Sequence, residues 1–351
     1  MTDPRPSGLI KSAPQDFIVE EILGIDLDKE GEHLMLLIRK CQLNTEDVAR
    51  ELKKLYKAAD VDVSYSGLKD KNAITEQWFS VRTPEDDIQL PIAYGSLTEM
   101  PEGSWGVVQS HRHSRKLRRG AHQRNRFSIR LSYLQSIDVD SAAEQVADRV
   151  QALGKDGFPN YFGMQRFGRA GANLQKAQQY FRNPRRKITR TQKGFCLSAA
   201  RSALFNRVCA ERIREQSYAT PQAGEAMVMQ GSKSYFVNDG SADVITRCET
   251  LDIHPSGPLW GRGSSLCEEP HAAREIAWLA EWNNFMQGLE VAGLKQERRA
   301  LRAVAHELCC NIEDSNTVLL SFELDKSVYA TTLIQELVDT AQIKQEAHNN
   351  G

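Results

Sequence analysis

In "VDVSY" the apolar side chains fall at Val61, Val63 and Tyr65, every second position, and in "RFSIRLSYL" at Phe127, Ile129 and Leu131. A period of two predicts half-buried strands. "DFIVEEILGI" (Asp16–Ile25), "HLMLLIRK" (His33–Lys40), the aromatic and β-branched "QWFSV" and "TVLLSFEL" (Thr317–Leu324) also read as strands. A second, helical period predicts a helix over Asn44–Ala59, with Val48, Leu52, Leu55 and Tyr56 on one side. Asn44 or Thr45 caps it, and Glu46 and Asp47 suit its positive N-terminal end. Further helices are expected at Asp140–Leu153, Ser198–Gln216, Ala272–Leu289 and Ala330–Asp339, with a loop at Pro84–Pro91 and a break in composition over Gly154–Gln175, rich in Gly, Asn and aromatics. Strands and helices without regular alternation argue for an α+β fold.

Composition narrows the class. At 351 residues the chain exceeds one ordinary core and suggests two domains. Apolar residues at 40% and charged residues at 26% suit a folded protein. No run approaches the ~18 apolar residues of a membrane span, and "MTDPRPSGLIKSAPQDF" lacks a signal-peptide core. Seven scattered cysteines without a CxxC pair suggest reduced thiols. The expectation is a cytoplasmic protein off the membrane, monomeric and without an evident protein partner.

The net charge of −1 conceals a polarised distribution. Residues 101–200 hold 19 Lys and Arg against 6 Asp and Glu, while the remainder holds 26 against 40. Such a field suits a polyanionic partner, though solvated helix faces give the same count. The densest part is "SHRHSRKLRRGAHQRNRFSIRLSYL" (Ser110–Leu134), where Arg112, Arg115, Lys116, Arg118, Arg119, Arg124 and Arg126 surround His113, Asn125 and Phe127. Cations for phosphates, with amide and aromatic groups for unstacked bases, point to an RNA-binding surface. A second basic group, Arg182–Lys193, extends that expectation. His111, His113 and His122 have no acidic or thiol ligand at a suitable interval, so no metal is expected and they read as RNA-facing or surface residues. Phosphate-loop, dinucleotide, zinc-protease and serine-hydrolase motifs are missing.

Asp70 stands between two predicted strands in "YSGLKDKNAITEQWFSV", flanked by Lys69 and Lys71. Neighbouring cations favour its ionised form, and a fixed carboxylate serves as nucleophile or base without a cofactor. An exposed Asp in a charged turn would explain "KDK" alone.

The surrounding pattern extends further. "GLKDKNAITEQWFSV" (Gly67–Val81) resembles the G-x-K-D-K/R-x-A-x-T-x-Q segment of tRNA pseudouridine synthases of the TruD family. "IKSAPQDFIVEEI" (Ile10–Ile22), "PNYFGMQRFG" (Pro159–Gly168) and "LSAARSALFN" (Leu197–Asn206) are similar to three other family segments in the same order. The resemblance implies isomerisation of uridine to pseudouridine in tRNA, at uridine 13 of the D-arm in bacterial members, with tRNA(Glu) as the expected partner and no cofactor. It implies Asp70 as catalytic residue, either attacking C1′ or removing a 2′ proton. It also implies that Phe17, Asn125 and Tyr329 bind substrate, Tyr329 standing where the family has phenylalanine, and that Lys11, Glu20 and Lys69 join them in the charged shell around Asp70, a structural salt link being the alternative for Lys11 and Glu20. The architecture it implies is an α+β pseudouridine-synthase catalytic domain with a mixed, mainly antiparallel sheet, formed by residues 1–156 and 302–351. An α/β TRUD domain, 157–301, is inserted between those segments. A non-catalytic RNA-binding protein or tRNA chaperone of the same fold is the main rival. A hydrolase using Asp70 would need a second carboxyl group roughly 5–5.5 Å away, for which Glu20 is the candidate.

Overall fold

A computed structural model describes residues 4–28, 30–84, 90–92, 95, 99–136, 141–183 and 187–340. Most of the loop expected at Pro84–Pro91, the expected helix start at Asp140 and the middle of the second basic group lie outside them. The chain forms two compact units, one of Met1–Gln151, Ala305–Ser327 and Gln335–Gly351, the other of Ala152–Val304 and Val328–Ile334. No helix among the described residues is long and apolar enough to cross a membrane.

In chain order the first unit opens with β1 (Ser7–Ile10), β2 (Phe17–Leu23), β3 (His33–Cys41), α1 (Thr45–Leu55), β4 (Val63–Tyr65), β5 (Ile74–Arg82), β6 (Trp105–His113) and β7 (His122–Gln135). Helix α2 (Ala142–Asp156) follows. The second unit contains β8 (Phe158–Pro159), α3 (Ala172–Arg182), α4 (Arg190–Arg214), β9 (Ala226–Met229), β10 (Tyr235–Val237), α5 (Ala242–Glu249) and β11 (Ile253–Leu259). It continues through α6 (His271–Trp278), α7 (Asn283–Val291), β12 (Glu297–Ala300) and β13 (Arg302–Ala303). Strands β14 (His306–Asp314) and β15 (Thr317–Asp325) return to the first unit, and α8 (Ala330–Leu337) ends the described fold.

The sheet of the first unit runs β14-β15-β7-β2-β5-β3-β6, with β1 beside β7 and β4 beside β5. Among its strand pairs in the described residues β2 and β5 alone run parallel, so the sheet is mixed and mainly antiparallel, as expected. Helix α1 starts where the sequence places it: Asn44 is its cap, and Asp47 reaches back to the Asn44 amide. Val48, Leu52 and Tyr56 pack on Leu34, Leu36, Ile38, Phe79 and Val81. Each fully buried side chain of this size contributes about 2 kcal/mol. Strand parity then sorts the polar residues. On β2, Phe17, Val19 and Glu21 face one way, and Ile18 and Glu20 the other.

The second unit is organised by α4, which buries Cys196, Ala200, Leu204 and Val208 against Leu279, Phe285, Met286 and Leu289. The helix begins earlier than the apolar period suggests, because Thr189 Oγ accepts the Gln192 amide at 3.2 Å and completes a capping box. The continuous helix expected over Ala272–Leu289 is instead α6, a 3-10 turn (Ala280–Trp282) and α7, with the break at the fully buried Leu279. Phe205 and Phe285 are core residues, as their spacing implies. A four-stranded antiparallel sheet, β10-β9-β11-β12, completes this unit.

Candidate active site around Asp70

The turn between β4 and β5 is anchored at successive main-chain positions. Gly67 O accepts Gln77 Nε2 at 3.0 Å, and Thr45 Oγ1 accepts the Lys69 amide at 3.0 Å while donating to Gln77 Oε1 at 2.7 Å. Asp70 O accepts Lys40 Nζ at 3.0 Å. The Asp70 side chain itself remains 40% exposed, reaching solvent from a fixed base.

One carboxylate oxygen of Asp70 accepts the Asn72 amide at 3.0 Å, and the other is ion-paired with Lys11 Nζ. Lys11 has a left-handed backbone, φ 62°, which costs a non-glycine residue roughly 1 kcal/mol or more. Its ammonium lies 3.9 Å from the centroid of the Phe17 ring. Partial burial works to raise the Asp70 pKa, but the Lys11 hydrogen bond and charge, the Asn72 amide and the Lys40 charge outweigh it and hold it below its ordinary 3.8. The cations responsible are therefore Lys11 and Lys40, not the sequence neighbours. Lys69 turns away to Glu21 Oε2 at 2.5 Å and Asn125 Oδ1 at 2.8 Å, and Lys71 is exposed.

The structure thus gathers Asp70, Lys11, Phe17, Lys69 and Asn125 on one side of the sheet. Phe17 is buried and serves as a platform for Lys11. Glu20 lies on the opposite face, opposite Arg126 and beside Glu76, with its pKa raised by burial and then by Glu76. The carboxylate on the Asp70 side is Glu21, whose side chain is fully buried. Sequence reading missed Glu21, Lys40 and Thr45. The available signal was parity: Glu21 shares a face with Phe17, and Lys40 falls in register with Leu34, Leu36 and Ile38.

Tyr329 belongs to the second unit. Its hydroxyl accepts Arg166 Nε at 2.9 Å, Arg166 Nη1 donates to Ser198 Oγ at 2.9 Å, and its ring packs edge-on against Phe162. The hydroxyl that departs from the family's phenylalanine is thereby satisfied.

The basic stretch spans the end of β6, a turn and β7, two strands that are separated in the sheet by β2, β5 and β3. Arg115, Arg118 and Arg119 are exposed on the turn with no carboxylate partner among the described residues, and Lys116 Nζ donates to Val61 O. With Tyr65 they line an open depression of about 470 Å³, Arg119 lying 5.6 Å from the Tyr65 ring centroid. Arg112 donates to Thr83 O, while Arg124 and Arg126 pair across the sheet with Asp325 and Glu323, at 3.0 and 2.7 Å. His113 is buried and bonded to Asp28 Oδ1 at 2.6 Å, so it is a structural residue instead of an RNA-facing one. His111 packs against Trp78.

In the second unit Cys267, His271 and Glu275 meet with metal-ligand spacing. Glu275 is already held by Arg298 at 2.7 and 2.9 Å, and burial pushes the Cys267 thiol up to about 11. A protonated thiol and a neutralised carboxylate make this an ion-pair network, poorly suited to a cation.

The family described as tRNA pseudouridine synthase D (TruD) matches residues 1–175 and 171–337. A protein of Methylococcus capsulatus named tRNA pseudouridine synthase D is 42% identical over 334 residues, covering 95% of this chain and 91% of that protein. A namesake from Nitrosococcus oceani is 39% identical, covering 97% and 92%. The crystal structure of the putative tRNA pseudouridine synthase D from Methanosarcina mazei shares the fold, with TM-score 0.69, 17% identity and coverage of 96% and 95%.

Proposed function

We propose, from the premise that this chain belongs to the tRNA pseudouridine synthase D (TruD) family, that it converts uridine 13 in the D-arm of tRNA(Glu) to pseudouridine with Asp70 as the reacting carboxylate. The first compact unit carries the chemistry, and residues 157–301 form the inserted domain. The observation that carries this reading is the side chain of Asp70, exposed and ionised on a turn anchored at successive main-chain positions.

In this isomerisation the N1–C1′ bond breaks, the uracil turns over, and a C5–C1′ bond forms. The C5 hydrogen leaves to solvent and N1 takes a proton, so composition is unchanged. The carboxylate promotes the first cleavage by attack at C1′ or removal of the 2′ proton. Lys11 keeps it ionised and oriented, while Lys69 holds Asn125 with its amide NH2 available for the base. The uridine must leave its stack to reach Asp70. Arg115, Lys116, Arg118 and Arg119 provide phosphate contacts beside the Tyr65 depression. Among the described residues neither nearby candidate supplies a hydrolase's second carboxylate, since Glu20 faces the other way and Glu21 is bound to Lys69.

The test is tritium release from a tRNA(Glu) transcript labelled at C5 of its uridines, comparing wild type with Asp70→Asn, followed by sequencing of the modified position. Release by wild type alone, at position 13, is expected. Binding without release by either protein would favour the non-catalytic RNA-binding reading.

A further inference from the structure

Strand β3 places Lys40 on the side occupied by Leu34, Leu36 and Ile38, and its side chain belongs to a residue with 0% exposure. Burying an ammonium costs several kcal/mol unless it is paired. Among the described residues no carboxylate lies within ion-pair distance of Lys40; its Nζ donates to Leu43 O at 2.8 Å and to Asp70 O at 3.0 Å. A leucine or methionine at this position would pack without that cost. Lys40 therefore holds two main-chain segments, the entry to α1 and the Asp70 turn, and keeps a positive charge behind the Asp70 carboxylate.

We infer that Lys40 is a positioning residue for the proposed reaction, fixing the Asp70 main chain and favouring its ionised carboxylate from within the sheet. The inference rests on the reading of Asp70 as the reacting group. The charged and titratable groups around Lys40 are Asp70 and Lys69 on the turn, Cys41 on its own strand and Asp47 on α1. Burial pushes the Lys40 amine down to about 8, and Asp70 pulls it back up. The coupling is reciprocal, since Lys40 also helps hold the Asp70 carboxyl down.

The test compares Lys40→Met, Lys40→Arg and Asp70→Asn by single-turnover tritium release, tRNA affinity and the pH dependence of the rate. Lys40→Met is expected to keep its tRNA affinity within about twofold while its rate falls roughly a hundredfold, the loss typical of a displaced reacting group. Its acid limb should move to higher pH, because Asp70 loses a neighbouring cation; Lys40→Arg should restore that limb. A rate within about threefold of wild type with an unmoved limb would overturn the inference. If Lys40→Met does not fold, NMR of protein carrying 13Cε-lysine decides the matter in the wild type and Asp70→Asn. Removing the carboxylate should lower the Lys40 titration midpoint, and equal midpoints would count against the coupling. Should Asp70→Asn retain the wild-type rate, the catalytic reading of Asp70 fails, while the midpoint comparison still reports on Lys40.

Discussion

Each unit of this protein buries charge, and the two do so differently. In the second unit Arg212 binds Glu225 through two nitrogens at 2.8 and 3.3 Å and spends its remaining donors on Ser217 O and Thr220 O. Arg298 does the same with Glu275 and the oxygens of Ser256. The first unit has such an arginine pair, Arg39 with Glu76 at 2.8 Å on the opposite face of the sheet, but around Asp70 lysines take the arginines' place: Lys11, Lys40 and Lys69 gather about Asp70 and Glu21. A guanidinium is a rigid fork that closes on its partner, whereas an ammonium is a point charge that several acceptors share. The arginine networks are closed supports. The lysine cluster carries an excess positive charge with one of its carboxylates open to solvent, an arrangement suited to a reaction and to an anionic substrate.

Several substitutions would break or sharpen this contrast. The largest effect is expected at Asp70: Asp70→Asn should lower tritium release on the order of a thousandfold or more while leaving tRNA affinity and the thermal midpoint nearly unchanged. Arg212→Met should do the reverse in kind, reducing stability by about 3–5 kcal/mol through the unpaired buried Glu225. Urea unfolding measures this, and the double change Arg212→Met/Glu225→Leu should recover most of the loss.

Acid separates the networks next. The Glu275 carboxyl is held at about 2 against an ordinary 4.5, Arg298 and His271 overcoming the burial that would raise it. Because the folded pKa is depressed, its contribution is complete above about pH 4.5 and disappears as pH falls toward 2, a change of about 3 kcal/mol. Unfolding free energies from pH 6 to 2 should show that loss in the wild type and its absence in Glu275→Gln. The smallest effect is expected on the proposed RNA surface. Arg118→Ala with Arg119→Ala should weaken tRNA binding and flatten the slope of log affinity against log salt by about 1–2. Arg126→Ala, whose charge is paired with Glu323, should change that slope less.

The parts of the fold legible from periodicity are those with one apolar face. Strands β2, β3, β5, β7 and β15 and helix α1 all lie close to their expected ranges. Strands β6 and β14 were not recognised, and they are the two edges of the sheet. "HELCCNIED" and the end of "WGVVQSHRH" bury little on either face, so their hydrogen-bonded pairing left no hydrophobic pattern to read. Strands β9, β10, β12 and β13 are only two to four residues long, too short for a period to develop, and β11 is buried on both faces and interrupted by Pro255, Gly257 and Pro258.

For the site, the sequence by itself determined that an aspartate sits on a short connection between strands, because apolar alternation on both sides and a preceding glycine are local properties. Its family segments likewise identified Lys11, Phe17, Asn125 and Lys69, which the structure brings to one face. Only the tertiary structure decided which charges act on Asp70. Lys69 and Lys71 adjoin it in sequence yet turn elsewhere, while Lys11 and Lys40, 59 and 30 positions away, reach its carboxylate and its main chain. Tertiary structure likewise chose Glu21 over Glu20. Side chains alternate along a strand, so one position in sequence is the opposite face in space, and a buried charge is stable only where the sheet order brings it a partner.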